Sequence, residues 1–146
     1  MRLYLDTSAL VKLYVAEDGS TLVREVLAQA RLVATASIAY VEARAALARR
    51  RHEGSLPPLD HQRTIQAFDT DWGRFFRIDM TESLIREAAL LAERHRLRAY
   101  DAIHLASAAT LKTQLGPVTF LSWDIALEAA AHREGFGLLP GRKPKR

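Results

Sequence analysis

The chain has 146 residues, 49% hydrophobic and 26% charged, the balance of one soluble globular domain. Cysteine is absent, which excludes disulfides and thiolate metal sites, and the net charge of +4 suits a polyanionic partner without demonstrating one. No apolar run approaches the ~18 residues of a membrane helix, and the start lacks a basic-then-apolar leader, so no membrane association and a cytoplasmic location are expected.

Leu3-Tyr4-Leu5 is a short apolar run that predicts a buried strand, ending at Asp6. Thr7 or Ser8 is expected to cap the helix that follows, through Ala9 to Tyr14. Asp6 then stands at the carboxyl end of a central strand, where open α/β sheets place their sites, although a plain cap or turn residue fits the local pattern equally. Glu17-Asp18-Gly19-Ser20 breaks the helix, and Ser20 is expected to cap a second one from Thr21 to about Ala30. Leu32 to Thr35 reads as a second strand, and Ser37 starts a long helix to about His52 with a basic last turn. Gly54-Ser55-Leu56-Pro57-Pro58 is a loop, followed by a helix from about Leu59 that ends near Gly73. Phe75 to Ile78 predicts a third strand, Thr81 caps a helix through about His95, and an alanine-rich helix runs from about Tyr100 to Leu111. Val118 to Leu121 predicts a fourth strand, Asp124 opens a helix to about Arg133, and Gly135 to Leu139 is expected to add a fifth, edge strand. Strands alternating with helices, without a hairpin signal, predict a parallel sheet covered on both faces. One domain is expected over residues 1–140, with a basic tail over 141–146.

Four acids stand out from the rest: Asp6 after the first strand, Glu42 in the helix after the second, Asp101 in the alanine-rich helix, and Asp124 after the fourth strand. A carboxylate in a helix as poor in charge as that around Asp101 is costly without a partner. Each acid also has a plain structural alternative: a cap or a pairing with Arg98 for Asp101, a cap for Asp124, and a pairing with Arg44 or Arg49 for Glu42. Clustered carboxylates without cysteine point to hard cations, Mg²⁺ or Mn²⁺, because like charges packed closely need a cation between them. Two such ions ~3.5–4 Å apart clamp the attacking and leaving oxygens of a phosphodiester. His104, one turn from Asp101, fits a packed histidine better than a general base, since a metal-activated water needs no imidazole. Arg94, Arg96 and Arg98 suit phosphate contacts or a solvated basic turn equally well.

Four segments together resemble one known family: Tyr4 to Leu10 with Lys12-Leu13-Tyr14, Ser37 to Glu42, Leu97 to Ala106 with Tyr100-Asp101-Ala102, and Phe120 to Asp124. In this order, and spanning nearly the whole chain to about Leu139, they are similar to the PIN-domain ribonucleases, and among these to VapC-type toxins of prokaryotic toxin–antitoxin pairs. The resemblance implies a three-layer α/β/α sandwich around a mostly parallel sheet of four to five strands. It implies catalytic and metal-binding roles for Asp6, Glu42, Asp101 and Asp124 around Mg²⁺ or Mn²⁺, with Ser8 and Ser122 in support. It further implies endoribonucleolytic hydrolysis of an RNA substrate by a metal-activated water, a homodimer, and a small VapB-like antitoxin as partner. Trp123, a bulky residue beside the fourth acid, is the one local departure. Two other readings stand beside this one. An Asp6-based phosphatase or phosphoacceptor domain requires a second acid two residues on, or an acidic pair before the end of the first strand, plus a Lys near the last strands. Here the position two after Asp6 is Ser8, and no Lys sits suitably near the fourth strand. A non-catalytic binding scaffold of the same fold differs only in lacking metal-dependent RNA cleavage.

Overall fold

A computed structural model describes residues 1–139, and the expected basic tail lies outside them. The elements run β1 (Arg2–Leu5), α1 (Thr7–Val11), α2 (Ser20–Gln29), β2 (Leu32–Ala36), α3 (Ala39–His52), α4 (Pro58–Trp72), β3 (Phe76–Ile78), α5 (Glu82–His95), α6 (Ala99–Leu115), β4 (Thr119–Leu121) and α7 (Ile125–Arg133). The sheet has four strands in the order β3-β2-β1-β4. Every pairing is parallel, with Leu3 opposite both Val33 and Thr119. Parallel strands present their carboxyl ends at one edge, so the segments after β1, β2, β3 and β4 all emerge there.

The side chains of β1 show why the sheet is covered twice. Successive strand residues point to opposite faces. Tyr4 packs into the cluster built by α5, α6 and α7 with Leu91, Leu105 and Phe120. Leu3 and Leu5 pack into the other, with Leu10, Val23, Leu47 and Phe68 from α1 to α4. All three β1 side chains are fully buried, and burial of each stabilises the fold by about 1.5–3 kcal/mol. The expected three-layer sandwich is therefore the observed one. Among the described residues no helix is long and apolar enough to cross a membrane.

Three local expectations are corrected. Ser20 does not cap α2: Gly19 is the N-cap, and the Ser20 hydroxyl donates to the Val15 carbonyl instead (2.8 Å). Asp6, not Thr7 or Ser8, caps α1: its backbone is extended (φ −76°, ψ 177°) and its side chain accepts from the Ala9 N–H. Gly135 to Leu139 does not form a fifth strand. Gly137 makes one isolated bridge to Thr119, bonding Val118 and Phe120 through its backbone, and the ladder goes no further.

Candidate active site

Asp6 is held before any ligand arrives. It is 3% exposed, and Oδ1 accepts from Ser8 Oγ (2.7 Å) and the Ala9 N–H (3.0 Å). Oδ2 accepts from Ser122 Oγ (2.6 Å). Both serines in turn accept from the segment after β4, Ser8 from the Trp123 N–H (3.0 Å) and Ser122 from the Asp124 N–H (2.9 Å). Burial raises the Asp6 carboxyl above the ordinary aspartate range, and the charge of His104 with the serine and Ala9 hydrogen bonds offsets only part of that.

Asp124 caps α7, its Oδ1 accepting from the Leu127 N–H (2.9 Å). Its other oxygen faces α6. There Arg98, at the N-cap of that helix, donates from one guanidinium nitrogen to Asp124 Oδ2 (3.1 Å) and from Nε to Asp101 Oδ2 (3.2 Å). Asp101 and Asp124 thus share one cation. Burial and then the charge of Asp124 raise the Asp101 carboxyl, Asp6 adds to the rise, and Arg98 opposes it. Asp101 therefore feels the charges of both Asp124 and Asp6. The expected alternatives of a cap at Asp124 and an Arg98 pairing at Asp101 are also realised, and they coexist with this gathering.

Glu42 stands in a different setting. Its Oε1 accepts from Thr7 Oγ1 (2.8 Å) and from Nε2 of His104 (2.8 Å). Burial pushes its carboxyl up, but the hydrogen bond and charge of His104 together with Thr7 outweigh it and leave the group below the usual glutamate range. Arg44, a partner considered from sequence, bonds the Tyr40 hydroxyl instead (2.8 Å). His104 is buried, and its Nδ1 lies 2.7 Å from the Tyr4 hydroxyl. Of the three arginines before Asp101, Arg94 pairs with Glu134 (2.6 Å) and Arg96 closes α5 in the left-handed region (φ 55°). Trp123 lies under the Lys12 ammonium, 4.8 Å from its ring centroid, and its indole leaves no room for a side chain at Gly19.

The donors are carboxylates and hydroxyls, a set that fits Mg²⁺ or Mn²⁺, and a cation already bridges two of them. Among the described residues, no three His, Asp or Glu side chains are drawn in around one ion-sized point. Thr7 and Tyr4 escaped sequence reasoning. Thr7 read only as a cap, and Tyr4 meets a residue 100 positions away, a separation at which no periodicity gives a signal.

Comparison with known proteins places this geometry in context. Residues 3–120 match the family described as PIN domain. The chain is similar to Ribonuclease VapC45 of Mycobacterium tuberculosis, 32% identical over 139 residues, which is 95% of either chain. The crystal structure of Mycobacterium tuberculosis VapC20, described as a Sarcin-Ricin loop cleaving toxin, superposes with a TM-score of 0.65 at 19% identity, covering 92% of this chain and 95% of that one. That of VapBC2 from Rickettsia felis, bound to a DNA fragment from its promoter, superposes with a TM-score of 0.64 at 17% identity, covering 95% and 98%. These two structures support the fold alone.

Proposed function

The chain belongs to the PIN-domain family, alongside VapC-type relatives, and from that premise we propose that it is a metal-dependent endoribonuclease acting as the toxin of a type II toxin–antitoxin pair. The observation that carries this reading is the guanidinium shared by Asp101 and Asp124 beside Asp6, which marks a cation-demanding patch at the carboxyl edge of the sheet. Asp6, Asp101 and Asp124, with Glu42, would hold Mg²⁺ or Mn²⁺. Such an ion would supply Lewis-acid chemistry for phosphodiester hydrolysis.

The chain's own residues do the rest. Ser8 and Ser122 fix both oxygens of Asp6, so its lone pairs point one way before substrate arrives. Arg98, 82% exposed, neutralises Asp101 and Asp124, the two carboxylates that would hold the ion. His104 has both ring nitrogens bonded inside the fold and is 2% exposed, so it does not reach an RNA 2′-hydroxyl. Cleavage then leaves 5′-phosphate and 3′-hydroxyl ends, and a 2′-O-methyl at the scissile position is tolerated chemically. An Asp6-based phosphoacceptor is disfavoured, because the position two after Asp6 is Ser8 rather than a second acid.

The partners follow from charge. An acidic cluster in a basic chain suits an Arg or Lys from a small antitoxin, which would stand where Arg98 now stands. A homodimer that binds such an antitoxin in the cytoplasm completes the reading. The deciding experiment is cleavage of single-stranded RNA with Mn²⁺ against EDTA, with end-group analysis of the products. Metal-dependent 5′-phosphate ends are expected; cyclic phosphates that persist in EDTA would overturn the proposal. Size measurement of the chain co-expressed with its native operon partner tests the antitoxin, and a lone monomer without a partner would remove the toxin role.

A further inference from the structure

We infer that His104 is a positioning residue for Glu42, clamped from behind by Tyr4 so that one glutamate oxygen is fixed and the other is left for the site. The inference rests on the reading of Glu42 as part of that site. It does not require His104 to touch substrate or to gain or lose a proton.

The setting of the imidazole is the first reason. It is 2% exposed on α6, where Ala102, Leu105, Ala106 and Ala108 are buried with it, a setting in which an unpartnered polar ring is costly. A polar ring kept there has to be satisfied on both nitrogens, and it is. Nδ1 lies 2.7 Å from the hydroxyl of Tyr4, itself fully buried in β1, and Nε2 lies 2.8 Å from Glu42 Oε1. The carboxylate can only accept, so Nε2 carries a proton whatever the charge of the ring. The ring plane is therefore set from two sides, by the central strand and by α3.

The second reason is asymmetry at the glutamate. Both of its hydrogen bonds, from His104 and from Thr7 Oγ1 (2.8 Å), fall on Oε1. Thr7 follows Asp6 directly, so the same clamp ties the Glu42 carboxylate to the segment that carries the first acid. Nε2 also lies 3.1 Å from Thr7 Oγ1, closing a three-membered arrangement of imidazole, hydroxyl and carboxylate. The clamp takes one oxygen and restricts the rotation of the other, at a side chain that keeps 26% exposure. A surface glutamate on one end of a helix would otherwise sample many rotamers, and a misplacement of about 1 Å can cost a site roughly 100-fold in rate.

Side chains that copy one nitrogen at a time separate positioning from packing. The amide nitrogen of glutamine reaches the place of Nε2, whereas that of asparagine reaches only the place of Nδ1. The parent, His104→Asn, His104→Gln and the Asn change in a Glu42→Gln background are compared for kcat and KM on single-stranded RNA with Mn²⁺, for Mn²⁺ affinity by calorimetry without RNA, and for melting. His104→Asn should lower kcat about 30- to 100-fold with KM little changed, and His104→Gln should recover most of that loss. Mn²⁺ affinity should fall in the Asn variant and return in the Gln variant, although both melt at similar temperatures. In the Glu42→Gln background the Asn change should add less than about threefold, because the two residues act as one unit. Equal kcat for the Gln and Asn variants, or an undiminished Asn effect without the Glu42 charge, overturns the inference and leaves His104 as packing alone. A nitrogen-edited proton spectrum of the parent gives an arm independent of catalysis. A slowly exchanging Nε2–H that shifts in Glu42→Gln supports the clamp, and a bare Nε2 overturns it. If the parent cuts no RNA with any divalent ion, the nuclease reading fails, and that spectrum still decides whether the clamp exists.

Discussion

Ser8 and Ser122 grip Asp6 from opposite ends of its carboxylate, and each also takes a backbone N–H from the segment leading into α7. One acid thereby joins the exits of β1 and β4, 116 residues apart in the case of Ser122. Ser122 is fully buried and Ser8 is not. Ser122→Ala, which strips a buried carboxylate of a donor and the Asp124 N–H of its acceptor, should cost about 2–3 kcal/mol, and Ser8→Ala about 1–2 kcal/mol. Because both act on one group, the double variant should deviate from the sum by at least about 0.5 kcal/mol. Urea unfolding of the three proteins measures this, and strict additivity would show that the serines do not share Asp6.

Gly19 and Gly54 offer a matched pair. Both lie in the left-handed region, at φ 90° and 82°, so an alanine pays backbone strain of about 1 kcal/mol at either. At Gly54 the new methyl meets open space, whereas at Gly19 it would overlap the Trp123 indole. Gly19→Ala should therefore destabilise by about 1–3 kcal/mol more than Gly54→Ala, the cost of overpacking. Equal melting temperatures for the two variants would mean that Trp123 moves aside freely.

Much of this was legible in the sequence, for a definite reason. The sheet could be read because Leu3, Tyr4 and Leu5 form a short apolar run bounded by an acid, and the structure places Asp6 where that strand ends. The cap of α1 was not legible. Asp6, Thr7 and Ser8 are all good cap formers, and only the end of the ladder at Leu5 selects the first of them. Gly135 to Leu139 has a strand-like composition, but pairing stops after one bridge, which local pattern does not encode. The contacts that organise the site, Arg98 across to Asp124 and Tyr4 to His104, join distant positions and exist only once the layers close.

Glu134 sets an acid limit on stability away from the site. Its carboxylate accepts from His95 Nε2 and from Arg94, both at 2.6 Å, and the His95 bond, the largest influence, holds it below the usual glutamate range against a smaller rise from burial. A depressed carboxyl contributes stability above its unfolded value of ~4.3 and loses it as pH falls through the lower folded value. Glu134→Gln should thus melt lower at pH 7, by on the order of 1 kcal/mol, and show a shallower decline below about pH 4.5. Parallel melting curves against pH for the two proteins would contradict this assignment.

Asp101 joins function to stability with the opposite sign. Burial and the nearby Asp124 raise its carboxyl, with Arg98 only partly in opposition. A raised acid contributes stability that is present below its unfolded value of ~3.9 and is lost as pH rises through the folded value, so at neutral pH its charge weighs against the fold. Asp101→Asn keeps the shape, removes that charge, and should leave the metal-free protein as stable as the parent or more so; about 1 kcal/mol of relief would raise Tm by roughly 4 °C. The same change should abolish most RNA cleavage, since it removes one of two carboxylates that now share a cation. Mn²⁺ should raise the parent's Tm by linkage and the variant's far less. If Asp101 serves only as the partner of Arg98, the variant instead cuts RNA as the parent does and responds to Mn²⁺ equally. Melting in EDTA and in Mn²⁺, run beside cleavage for both proteins, separates the two cases, and a variant that is less stable, active and metal-responsive would remove Asp101 from the site.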